Sequence, residues 1–262
     1  MGVTTASLTE HESSADAPAR SLRNAAYLTA AVGTAHAVLF LLSFWLLSGR
    51  PAPDASDADV VRYYSSEGSR RSMLVGLYIM PFSGMAFIWF IVALRMWISS
   101  STRRVNELLS NVQLVSGIIF TTLFFGTAAS ISVIAASVEF SNAQIDPSLA
   151  RQFPQFGASL FFVFGMRMAA MFVFTTTNIG RHAGILPRWF VVIGFLVGLF
   201  LLLSATFSVW FATVFPAWVF VLSLILFDRA RKIPSDMMVP ARGPLSDALS
   251  AATMDHPEPV SG

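Results

Sequence analysis

The stretch LVSGIIFTTLFFGTAASISVIAASV, residues 114–138, contains no charged side chain. A helix needs about 20 consecutive apolar residues, each rising about 1.5 Å, to cross the hydrocarbon core of a bilayer. Apolar helices buried in soluble domains are usually shorter than that. The stretch therefore predicts a transmembrane helix, and with it an integral membrane protein.

The composition of the whole chain agrees with this class. Hydrophobic residues make up 55% of the 262 residues and charged residues 12%, about half the charged share usual in soluble domains. The net charge is only +2 and no basic cluster is present, so nucleic acid is not an expected partner. The absence of cysteine excludes disulfides and thiol chemistry, and we expect no cofactor and no metal.

Hydropathy predicts an all-α membrane bundle of six transmembrane helices joined by short loops. The last apolar run is too long for one helix, and we divide it near Ser208; without that division the count falls to five. The polar ends, residues 1–24 and 229–262, are predicted to be disordered tails of the domain 25–228. The predicted spans are residues 25–47, 73–94, 114–138, 156–177, 189–207 and 210–227.

The distribution of basic residues predicts the orientation, because cytoplasmic loops are enriched in Arg and Lys. With the N-terminus inside, the 17 basic residues divide into 11 inside, 5 outside and Arg167 within a span. This predicts a multi-pass protein of the cytoplasmic membrane with both termini cytoplasmic. The outer set is Arg50, Arg62, Arg70, Arg71 and Arg151.

The first predicted outer loop, residues 48–72, carries its own helix signal. Ser56 stands three residues before Asp59, which is typical of a helix N-cap. Apolar residues follow at Val60, Val61, Tyr63 and Tyr64. We expect a short helix over residues 57–67, resting on the membrane surface.

Arg167 is the one basic residue within a predicted span, in FFVFGMRMAAMFVF, residues 161–174. Facing lipid would cost a charged side chain at least about 2.5 kcal/mol, so we expect it to face the bundle interior. Its candidate ion-pair partner is Glu139, just past the end of the third span. The alternative is bonding to carbonyls and hydroxyls such as those of Thr127 or Ser130.

Other residues within the spans are candidates for polar or packing roles. His36 in the first span is a candidate polar residue, and Pro81 in the second is a candidate kink. Gly194 and Gly198 form G-x-x-x-G, and Gly126 and Ser130 have the same small-residue spacing. These pairs favour close helix packing, either within the bundle or between copies in a homo-oligomer.

Missing residue types exclude several membrane activities. No span contains lysine, His36 is the only histidine in a span, and H-E-x-x-H is absent. Ser83-Gly84 has the form of a serine nucleophile turn, but we expect no span to supply a partnered histidine that faces it. An enzyme is therefore not expected.

Three stretches carry a resemblance to known proteins: VVRYYSSEGSRRSMLVGLYIMPFSGMAFIWFIVALR, RMAAMFVFTTTNIGRHAGILPRWFVVIGF and FPAWVFVLSLILF. Across residues 25–228 the chain resembles an uncharacterised family of six-span integral membrane proteins from high-GC bacteria. The resemblance implies a six-helix membrane bundle and brings no activity with it.

Two classes of function fit these observations. One is a non-enzymatic structural, binding or regulatory membrane component, partnered by the bilayer, by further copies or by other membrane proteins. The other is a transporter or channel for a small or anionic solute that uses Arg167. A cavity at the depth of Arg167, walled by Pro81, favours transport; a solid core favours binding or interaction.

Overall fold

The computed structural model describes residues 4–101, 107–203 and 208–232, with the side chains of residues 24–98, 107–203, 208 and 210–232. Within these residues all regular structure is helical, so the all-α class is confirmed. The elements in chain order are α1 (Thr4–Ser48), α2 (Asp57–Ser65), α3 (Glu67–Ser101), α4 (Glu107–Ser141), α5 (Pro147–Ser159), a π-helical segment (Leu160–Gly165), α6 (Met166–His182), α7 (Arg188–Leu203) and α8 (Val209–Arg231).

Five of the described helices are long and apolar enough to cross a membrane. They are Asn24–Ser48, Glu67–Ile98, Glu107–Ser141, Pro147–His182 and Trp210–Arg231. The sixth apolar helix, α7, has 16 residues and is about 24 Å long, less than the ~30 Å core. The molecule is thus a helical bundle with five candidate membrane spans and one shorter apolar helix.

The order of packing places the helices around one core. α1 packs along α3 and α8, α4 packs on α3, α5 and α6, and α7 rests mainly on α6. The rings of Tyr27 and Phe227 lie 5.4 Å apart, so the end of α8 returns to the first apolar turns of α1. The rings of Phe200 and Phe211 lie 5.3 Å apart at the other end of the bundle. Successive long helices therefore alternate in direction.

The predicted loop helix is confirmed as α2. The Ser56 hydroxyl accepts a hydrogen bond from the Asp59 backbone N–H at 3.2 Å and caps the helix. Val60 and Tyr64 are buried beneath α2. We call the end of the bundle that carries residues 49–56, α2 and the starts of α3 and α5 the α2 end.

The chain ends differ from the sequence prediction in one respect. α1 begins at Thr4, within the stretch predicted to be a disordered tail. Ala, Glu, Leu and Arg in that stretch have good helix propensity. The predicted C-terminal tail beyond residue 232 lies outside the described residues. α8 begins after an extended Ser208, at the predicted division of the last apolar run.

Candidate functional site

Phenylalanine rings fill the centre of the bundle. Adjacent rings lie as close as 4.6 Å between centroids, as for Phe40–Phe124 and Phe120–Phe215. This packing resembles a protein interior. The rings, each at most 1% exposed, are those of Phe40, Phe87, Phe120, Phe124, Phe161, Phe172 and Phe215.

His36 and Ser83 meet within this aromatic interior, so a histidine does face Ser83, but its Nε2 has no hydrogen-bond partner among the described residues. His36 Nδ1 donates to the Ser83 carbonyl at 3.0 Å and lies 3.1 Å from Ser83 Oγ. A carbonyl can only accept, so Nδ1 carries the proton and is not free to take one from the hydroxyl. Both side chains are at most 1% exposed. The pair joins α1 to α3 and offers no access to a substrate.

Arg167 lies at the start of α6 and bends back toward the preceding turn. Its Nη1 donates to the Phe162 carbonyl at 2.6 Å, and the side chain is half-buried rather than directed into the core. Val163 and Met171, one turn before and after it, are more than one third exposed. The expected bonding to a carbonyl is present, although the acceptor belongs to Phe162 and not to Thr127 or Ser130.

Glu139 pairs with another arginine, which corrects its predicted pairing with Arg167. Its Oε2 accepts from Arg70 Nε at 3.1 Å. α4 remains helical to Ser141, as that pairing required. Arg70 stands one turn into α3 at the same end of the bundle, whereas Arg167 lies at the start of α6, beyond α5 and the π-helical segment.

The G-x-x-x-G pair lies inside the bundle. A Cβ added at Gly194 would stand 2.9 Å from Thr177 Cγ2, and one at Gly198 would stand 2.9 Å from the Phe174 ring. Both glycines therefore let α7 approach α6 closely. This surface is occupied by the chain itself and is not open to a second copy.

The remaining packing and kink candidates have modest roles. A Cβ at Gly126 would meet Leu160 Cδ1 at an ordinary 3.6 Å. Ser130 Oγ donates to the Phe153 carbonyl at 2.6 Å and joins α4 to α5. Pro81 lies inside α3 with its ring exposed.

A cleft of about 510 Å³ opens at the α2 end, between residues 50–53, α2, α5 and the π-helical segment. We call it the Arg50 cleft. A smaller cavity of about 170 Å³, its inner extension, adjoins it toward α1 and α4. The cleft falls within the volume range usual for small-molecule sites. The two cavities share Arg50, Pro51, Ala52, Pro53, Ala158 and Phe162.

Arg50 differs from the other arginines at this end. It lies half-buried in the cleft wall, and among the described residues its one hydrogen bond is a long 3.4 Å contact to the Leu47 carbonyl. Burial lowers the pKa of Arg50, opposed by the nearby Tyr64 and Tyr63 phenols, and the guanidinium still stays charged. Each of the others has a carboxylate: Arg62 pairs with Asp59, Arg70 with Glu139, Arg71 with Glu67 and Arg151 with Asp57.

Tyr64 lies in the wall of the cleft with its hydroxyl buried. Tyr64 is 1% exposed, and its hydroxyl has no hydrogen-bond partner among the described residues. Burial raises the pKa of Tyr64 to about 12, so the phenol keeps its proton at neutral pH. The hydroxyl does not reach the open space of the cleft. Of the described cations that line the cleft, Arg50 is therefore the one that lacks a carboxylate partner.

The roof of the cleft is tied down at both ends. Arg151 Nη2, from α5, donates to the Ala55 carbonyl at 2.8 Å and to Asp57 at 2.5 Å. Arg70 Nη1, from α3, donates to the Tyr64 and Ser65 carbonyls at 3.0 and 2.7 Å, at the end of α2. These bonds fix the position of Tyr64 over the cleft.

The arrangement is suited to binding an anion against apolar walls. The cleft has no histidine or carboxylate among its lining residues, so it lacks a general base. Within residues 24–98, 107–203 and 208–232, no group of three His, Asp or Glu side chains could hold a metal. No family model, curated protein or solved structure matches the chain.

Sequence reasoning counted Arg50 only as an outer loop charge. Pro51 disfavours continuation of the helix, and this keeps Arg50 close to the end of α1. That signal gives its position but not its burial. The burial comes from α5 and the π-helical segment, about a hundred residues later in the chain.

Proposed function

We propose that the protein is a non-enzymatic binding component of the cytoplasmic membrane that takes a small anionic ligand in the Arg50 cleft. The charge bias of the loops puts the cleft on the outer face, with both termini cytoplasmic. The six-span architecture implied by the family resemblance is part of this proposal.

The observation that carries the proposal is the contrast between Arg50 and its neighbours. Four arginines at the α2 end pair with carboxylates, and Arg50 does not, although its burial is greater than that of the exposed Arg62 and Arg71. An unpaired charge that has lost solvent is strongly destabilising. An anionic ligand in the cleft would supply the missing partner.

Transport through the bundle is the second candidate that the sequence raised. Transport requires a cavity at the depth of Arg167, walled by Pro81. Neither residue lines the Arg50 cleft or its inner extension, and phenylalanine rings fill the bundle centre. These observations support binding over transport.

Thermal unfolding in a neutral maltoside detergent tests the proposal with acetate, octanoate and inorganic phosphate as probes. A ligand that binds only the folded protein raises its unfolding temperature in a concentration-dependent way. We expect at least one probe to stabilise the wild type and to lose its effect in Arg50→Gln.

Arg71→Gln is the matched control, because Arg71 lies at the same end and its side chain is 76% exposed. It should keep the wild-type response. An anion effect that is equal in the wild type and in Arg50→Gln, or no effect of any probe, would contradict the proposed function.

A further inference from the structure

We infer that the ligand is a single-chain amphiphile with one anionic head group, whose apolar chain occupies the inner extension. This inference rests on the proposed function and adds the class of ligand. It follows from the large apolar side chains that line the inner extension beside Arg50.

Arg50 is the group available to an anionic head. Tyr64 and Arg151 line the Arg50 cleft and not its inner extension, while Arg50 lines both. Arg151 is already held by Asp57 and Ala55, and the Tyr64 hydroxyl is buried away from the open space of the cleft. An anionic head at Arg50 therefore lies where the two cavities meet.

The inner extension has a different lining. Phe44, Ile131 and Phe161 line it and do not line the outer cleft. The hydroxyl of Thr127 also lines it but is used up, because it donates to the carbonyls of Leu123 and Gly157. A purely polar anion would gain nothing there, whereas an alkyl chain would bury apolar surface.

The volume of the site decides whether the ligand has one alkyl chain or two. The outer cleft holds about 510 Å³ and the extension about 170 Å³, so the extension is a narrow addition to the cleft. A single chain of moderate length fits this shape. A phospholipid with two long chains does not fit within it, although a head group could reach Arg50 from the bilayer.

Arg167 has a positioning role in this site. The carbonyl that it holds belongs to Phe162, and Phe162 lines both cavities. Phe162 lies in the π-helical segment, where Met166 N–H bonds back five residues to the Phe161 carbonyl. Such widened turns recur at functional sites. The guanidinium of Arg167 thus stabilises the turn at Phe162, which borders both the cleft and its extension.

The test measures dissociation constants for acetate, butyrate, hexanoate and octanoate from the concentration dependence of the unfolding temperature. Each added methylene should lower Kd about fourfold while it enters the extension. Octanol is the uncharged control and should bind far more weakly. Arg50→Gln gives the background from detergent partitioning, and Arg50→Lys should restore part of the binding.

Ala158→Phe fills the junction of the two cavities without changing a charge. It should abolish the dependence of Kd on chain length. If this variant does not fold, the wild-type carboxylate series alone decides the inference.

The outcomes separate the inference from the proposed function. Arg50-dependent binding of acetate or phosphate with no gain from chain length would overturn the amphiphile and keep the anion site. Loss of all Arg50-dependent binding would overturn both. Protein in nanodiscs distinguishes the source of the head group: stabilisation by phosphatidylglycerol, with no further effect of octanoate, would assign Arg50 to a bilayer lipid and overturn the single-chain ligand.

Discussion

The arginines of this chain show how position in three dimensions decides the role of a charge. Glu139 follows the third predicted span and Arg167 lies in the fourth. The side chain of Glu139 leans inward and that of Arg167 leans outward, which favours a pair. Arg70 nevertheless takes Glu139, because the start of α3 lies beside the end of α4. Arg167 instead satisfies a carbonyl of its own chain segment.

Two double-mutant cycles test this assignment at the residue scale. Arg70→Met and Glu139→Gln should be non-additive, with a coupling of up to about 1 kcal/mol, because the pair is partly exposed. Arg167→Met and Glu139→Gln should add within about 0.5 kcal/mol. The measurement is the free energy of unfolding in detergent. Coupling in the Arg167 cycle, with none in the Arg70 cycle, would show that the ion pair is assigned wrongly.

At the scale of elements, the packing of α7 depends on two glycines. Its contacts are mainly with α6, and both glycines of its G-x-x-x-G face α6 side chains at distances that leave no room for a methyl group. Because lipid gives apolar helices no hydrophobic drive to associate, close packing has to hold α7 in place.

Substitution of Gly194 or Gly198 should therefore destabilise the protein more than substitution of Gly126 does. Gly194→Val and Gly198→Val should each destabilise the protein by about 1–3 kcal/mol through overpacking. Gly126→Ala, with 3.6 Å to its nearest neighbour, should change stability by less than about 0.5 kcal/mol. Thermal unfolding measures all three. Valine tolerated at both α7 positions would contradict the packing of α7 on α6.

The element scale also shows how far the sequence could predict this molecule. α2 was predictable because its cap is a local signal, formed by Ser56 and by Asp59 three positions later. The π-helical segment was not, since Leu160–Gly165 has the same apolar composition as an ordinary span. The Arg50 cleft was not predictable either, because it forms only when α5 packs against residues 50–53. Local sequence patterns are enough to predict the helices, whereas the site forms only through tertiary packing.

At the scale of the whole molecule, the direction of α7 decides the topology. α6 ends and α7 begins at the end of the bundle opposite to α2, and Phe200 of α7 lies beside Phe211 near the start of α8. α7 therefore runs toward the α2 end. Its 16 residues can reach across only a thin or locally thinned core.

Single cysteines can test this topology, because the chain has none of its own. A membrane-impermeant maleimide added to intact cells should label Asp54→Cys and Ser208→Cys. His182→Cys and Lys232→Cys should react only after the membrane is disrupted. Labelling of Ser208→Cys together with His182→Cys on the inner side would mean that α7 does not cross.

The central claim is that the Arg50 cleft holds an anion whose apolar part points inward. Anomalous diffraction from crystals grown with terminally brominated octanoate locates both ends of the ligand directly. The account predicts a bromine peak among Phe44, Ile131 and Phe161, with the carboxylate within hydrogen-bond distance of Arg50. Bromine found only on the lipid-facing surface, or a cleft without ligand at saturating octanoate, would contradict it.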